Sequence, residues 1–67
     1  MEYVIQLELF SGRGYFKGGQ HLDGRYHVFV SASMRDAAVF PERNKGLMKS
    51  FINKLEKYKP VAVPLAE

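Results

Sequence analysis

The stretch Asn44–Tyr58, NKGLMKSFINKLEKY, decides the fold. Leu47, Met48, Phe51, Ile52, Leu55 and Tyr58 recur at helical spacing, so they fall on one stripe of an α-helix. Lys45, Lys49, Lys54 and Lys57 lie off the stripe, with Asn53 and Glu56 among them. The interior is mostly good helix formers, and Gly46 is the weak point, costing about 1 kcal/mol relative to alanine. Asn44 is placed to cap the first turn with its side-chain oxygen. Pro41 offers an earlier start at 41 or 42. Pro60 stops the helix, because it lacks an N–H and disfavours a helical residue before it. The spacing therefore predicts a helix over about 44–58. One apolar stripe needs a cover, and the natural cover is a β-sheet.

Residues 2–10, EYVIQLELF, alternate: Tyr3, Ile5, Leu7 and Leu9 point one way, Glu2, Gln6 and Glu8 the other. Val4 and Phe10 are apolar exceptions on the polar side. Ser11–Gly14 reads as a turn, followed by a short strand over 15–18. Gly18–Gly24 reads as a loop free to move, with Asp23–Gly24 a turn signal. Arg25–Ser31, RYHVFVS, reads as a third strand, Tyr26, Val28 and Val30 on one face and Arg25, His27, Phe29 and Ser31 on the other. Ser33 followed by Asp36 fits a capping box, so a helical turn is expected over about 34–37. Phe40 is expected to anchor the following segment to the core. Residues 61–63, between Pro60 and Pro64, read either as an edge strand or as a loose tail. The expectation is one α+β domain over 1–67: a small antiparallel sheet of three to four strands on one long C-terminal amphipathic helix.

Composition narrows the classes of function. A chain of 67 residues buries only about 60% of the surface its unfolded form exposes, so packing or self-association must supply stability. There is no cysteine, which excludes disulfides and thiolate metal sites. The alternating start at Met1 does not read as a signal peptide, and no apolar run approaches the ~20 residues of a membrane span. The chain is expected to be a complete cytoplasmic protein. Its net charge of +3 favours acidic partners.

Three short motifs carry a resemblance: Tyr3-Val4-Ile5, Gly14-Tyr15-Phe16 and Arg35-Asp36-Ala37-Ala38-Val39-Phe40. In these, and in the order of its elements, the chain resembles small proteins of unknown function carried by phages and prophages of Gram-positive bacteria. The resemblance implies a phage-type accessory protein, a class rich in non-enzymatic inhibitors and regulators that act on host proteins. It assigns no functional residue.

The residues themselves suggest several sites. Gly12, Arg13, Gly14 and Lys17 could cradle a phosphate-bearing small molecule, although the spacing matches neither a Walker loop nor the dinucleotide G-x-G-x-x-G and no helix follows. His21, Asp23 and His27 supply three metal ligands at best, too few for a structural site, so no metal and no cofactor is expected. Ser31 and Ser33 lie near His27 without a nucleophile elbow or an orienting acid, and no enzyme is expected. The helix lysines with Tyr15, Phe16, Tyr26 and Phe29 could serve nucleic acid, though the charges spread around the helix. Finally, Val4, Phe10 and Phe29 are expected to face outward as an apolar patch, and Phe10, Phe29 and the helix lysines Lys45, Lys49 and Lys57 are the expected partner-binding residues. That patch points to a host-protein partner or a homodimer, with sheet edges as a second route to association.

Overall fold

A computed structural model of the chain describes residues 1–65. They form five strands, β1 (Glu2–Leu9), β2 (Gly12–Leu22), β3 (Arg25–Ser31), β4 (Phe40–Pro41) and β5 (Val61–Pro64), and one α-helix, α1 (Lys45–Lys54). The class is α+β with an antiparallel sheet. No helix among the described residues is long and apolar enough to cross a membrane.

β1 is the centre of the sheet. Tyr3 pairs with both Phe40 and Pro64, and Gln6 with both Tyr15 and Val61. β5 therefore holds one edge of β1, while β4 and β2 follow one another along the other. β3 pairs with β2 and ends the sheet on that side.

Two hairpin turns set the register. The first spans Phe10–Ser11, not Ser11–Gly14, because Leu9 pairs with Gly12. Gly12 leaves the turn at φ +129°, a backbone open to glycine alone. The second is Asp23–Gly24, with φ of 52° and 76°, between the paired Leu22 and Arg25. Positive φ at both central residues is the type I′ signature, whose twist matches that of the strands. The expected loop over 18–24 is accordingly strand, and β2 is much longer than the 15–18 predicted. Phe16 pairs with Val30 but Gly18 with Phe29, so Lys17 is the extra residue of a β-bulge.

The helix is shorter than its apolar period and is not C-terminal, since β5 follows it. It is entered through a 3-10 turn, Glu42–Asn44, that begins after Pro41, and Asn44 makes no capping hydrogen bond from its side chain. It closes at Leu55 (φ −100°, ψ 16°), and a second 3-10 turn, Glu56–Tyr58, leads to a left-handed Lys59. Pro60 disfavours a helical residue before it, and the chain must reverse there to run β5 antiparallel to β1. The capping box is half formed. Ser33 Oγ accepts from the Arg35 N–H at 3.2 Å, but the Ser33 N–H goes to Ser31 Oγ at 3.1 Å and not to Asp36.

The core lies between the sheet and the helix. Ile5, Leu7, Phe16, Phe40, Met48 and Leu55 are buried together. Three rings meet at its centre: Phe51 lies 5.0 Å from Phe16 and 5.8 Å from Phe40, and Phe16 stacks on Phe40 at 6.4 Å. Such contacts add about 0.5–1.5 kcal/mol each beyond area burial. Two expectations about burial fail. Leu47, counted in the stripe, is exposed, and Val4, placed outward, is completely buried although outside the main cluster.

A chain of this length holds a total stability of about 3–10 kcal/mol. Leu55→Ala, at a fully buried position, is expected to remove about 2–5 kcal/mol, and Leu47→Ala less than about 0.5 kcal/mol. Urea unfolding of the two variants checks the difference. Equal losses would contradict the packing described.

Candidate functional site

Beyond the bulge at Lys17, β2 and β3 continue as a two-stranded arm, residues 18–29, closed by the Asp23–Gly24 turn. Cross-strand partners share a face. One face carries Gly19, His21, Tyr26 and Val28; the other carries Gly18, Gln20, Leu22, Arg25, His27 and Phe29. The arm contributes to a molecule measuring 38 × 26 × 18 Å. It exposes Leu22 (44%) and Phe29 (48%), and Val30 at its base is 41% exposed.

The helix meets the arm through Lys54, and Val28 of the arm packs against the core. Lys54 Nζ lies 5.2 Å from the centre of the Tyr26 ring, which packs at 4.8 Å against His21. A cation over an aromatic face is attracted by the ring quadrupole. Tyr26 also covers Gly19 so closely that a Cβ there would collide with its hydroxyl and the ring carbon that bears it, which is why glycine stands at that position. The Tyr26 hydroxyl is buried and finds no hydrogen-bond partner among the described residues. This cluster was not foreseen from the sequence. The Gly18–Gly19 pair was its signal, since glycine inside a strand marks a bulge or a close approach.

The residues proposed from sequence are scattered. Phe10 is fully exposed at the first turn. Phe29 is opposite Gly18, six residues along β2 from Gly12, roughly 20 Å away at the usual strand rise. With Val4 buried, the expected patch of Val4, Phe10 and Phe29 does not form. Arg13 is exposed opposite Glu8, and Lys17 is exposed at the bulge. Gly12 and Gly14 lie in strand pairing with Leu9 and Leu7, not in a loop. Gly14 is buried, and a Cβ on it would meet Leu9 Cδ1 at 2.6 Å, so its role is packing. His21 and His27 occupy opposite faces of the arm, which prevents them from sharing an ion. Among the described residues, no three potential metal-binding side chains converge.

The helix lysines differ from one another. Lys49 makes no ion pair among the described residues. Lys57 lies over Tyr58, 5.1 Å from its ring centre. Lys45 pairs with Glu42 at 3.3 Å and lies 5.6 Å from the Tyr3 ring centre. The Tyr3 hydroxyl and then Lys45 hold the Glu42 carboxyl below the ordinary glutamate range, and Glu42 in turn raises Tyr3. This group ties the start of the helix to β1.

Three outcomes follow. Because the pKa of Glu42 is lowered in the folded chain, its stabilisation is present above the unfolded value and is lost as pH falls through the folded one. The stability difference between wild type and Glu42→Gln is thus expected to shrink on acidification below about pH 4.5, as read by melting curves. A difference constant with pH would contradict the linkage. Tyr26→Phe removes a buried hydroxyl without a partner and is expected to be neutral or stabilising by up to about 1 kcal/mol. Gly19→Ala is expected to destabilise the arm, seen as faster amide exchange over 18–29.

Comparison with known proteins returns no matching family model, no matching curated protein and no matching solved structure.

Proposed function

We propose that this chain is a non-enzymatic protein-binding module and that the arm of β2 and β3 is its contact element. The observation that carries the reading is the exposure of Leu22, Phe29 and Val30 on and beside a ribbon that projects from the core. A two-stranded ribbon in water is marginally stable at best. Large apolar side chains kept in solvent there add little to folding and are suited to contact. Phe29 is the anchor, Arg25 lies farther along the same face of the arm, and Lys17 is at the bulge next to Gly18, the strand partner of Phe29. With a net charge of +3, the fitting partner is a protein surface that is both acidic and apolar. In the phage-type role that the sequence resembles, the module acts in the cytoplasm by occupying a host protein. The lysines of the helix side then serve solubility and approach, with Lys49 the least engaged.

A phosphate-bearing ligand at Arg13 and Lys17 is less well supported, because Gly12 and Gly14 are held in strand pairing. Nucleic acid at the helix lysines is separated by its response to salt.

The test is retention of host proteins on immobilised chain after nuclease treatment, comparing wild type with Phe29→Asp of matched circular dichroism. A protein retained through about 0.5 M salt, and lost at least about tenfold on Phe29→Asp, is expected, since apolar contact resists screening. Retention that disappears with nuclease or falls steeply with salt would identify nucleic acid instead. Unchanged retention on Phe29→Asp would overturn the assignment.

A further inference from the structure

The outer edge of β3 offers its backbone to a partner. β3 pairs only with β2 among the described residues, and no other backbone hydrogen bond reaches 25–31. Native edges are usually protected by proline, lysine, a bulge or a covering segment. The opposite end of the sheet follows that rule, since β5 contains Pro64 and is preceded by Pro60, and β4 ends in Pro41. β3, RYHVFVS, has neither proline nor lysine, and the bulge lies on β2. It is rich in aromatic and β-branched residues, which favour strand pairing.

We infer that β3 pairs antiparallel with β3 of a second copy of this chain, about a two-fold axis at Val28. The inference rests on the arm being the interacting element and adds a contact through its bare edge, separate from the acidic and apolar partner engaged by Phe29. The strand has seven residues with Val28 at the middle, so this register alone pairs its whole length with itself. It sets Arg25 opposite Ser31 of the other copy, Tyr26 opposite Val30, His27 opposite Phe29, and Val28 opposite Val28. The one permanent charge of the strand thereby faces a neutral hydroxyl and not its own copy, so no like charges oppose. The axis is perpendicular to the sheet, so both helices lie on one side. On the other side Phe29 of each copy meets His27 of its mate. The contact is isologous and closes on itself, and the prolines at the far edge oppose further growth into a filament.

The native chain contains no cysteine, so single replacements report proximity cleanly. Sedimentation velocity of the wild-type chain, without any other partner, is expected to show a dimer that dissociates on dilution. On mild oxidation Val28→Cys is expected to yield a covalent dimer as the main product. Arg25→Cys alone is expected to form no covalent dimer, because two such residues would lie roughly 20 Å apart at the usual strand rise. Arg25→Cys mixed with Ser31→Cys is expected to give the mixed disulfide, and these positions at the strand ends spare the core if Val28→Cys perturbs it. A chain that remains monomeric at several hundred micromolar would overturn the inference. So would a dimer in which neither Val28→Cys nor the Arg25/Ser31 mixture cross-links. A monomer that still captures a host protein in a Phe29-dependent way overturns the pairing and leaves the proposed function standing. A cross-linked dimer whose Phe29→Asp variant keeps every partner does the reverse.

Discussion

The contact of Phe51 with Phe16 and Phe40 is the interaction on which the rest of the structure depends. Phe51 brings in the helix, Phe16 the second strand and Phe40 the short strand that precedes the helix. Around these rings Met48 and Leu55 close on Ile5 and Leu7. Without the helix, the inner faces of β1 and β2 would stand in water; without the sheet, the helix is too short to persist alone, since isolated helices below about 12–15 residues are marginal. The hairpin turns and the Glu42–Tyr3–Lys45 group adjust this arrangement and are secondary to it.

That core is confined to one end of the long hairpin. The extra residue at Lys17 separates the part of β2 that packs on β1 from the part that extends with β3. Past the bulge the ribbon is tied back by the Lys54–Tyr26 contact and by Val28 packed against the core. The same local irregularity thus completes the core at Phe16 and frees a ribbon whose exposed side chains and bare edge are, in the proposed reading, the working surface. An arm used for contact does not need the stability of the core, and low local stability is common in segments that engage partners.

The class of the fold was legible because the helix stripe and the alternation in β1 are strong periodic signals. Met48, Phe51 and Leu55 follow directly from them. Leu47 was misread because a stripe drawn on an ideal helix is wider than the surface that a few strands can cover. Val4 was misread because alternation assigns a side of the sheet, and burial on that side depends on what folds over it. The arm was hidden for a different reason. Gly18 and Gly19 look like loop residues, yet Gly18 pairs with Phe29 and Gly19 makes room for Tyr26. The bulge then reverses the inside–outside pattern along β2, so Gly19 and His21 share the face of Phe16 where simple alternation would place Gly18 and Gln20. Of the sites proposed from sequence, Phe29 lies on the arm and Lys17 at the bulge where it begins. Arg13 and the helix lysines are distributed over separate surfaces.

Amide hydrogen exchange across a concentration series tests the central claim most directly: a packed core at one end and, at the other, an arm that docks through the edge of β3. The account predicts slow exchange in β1 at every concentration, with protection of the outward-pointing amides of 25–31 rising as concentration rises. Exchange in β3 that is fast and independent of concentration would contradict docking through that edge. Exchange in β1 as fast as in the arm would contradict the core itself.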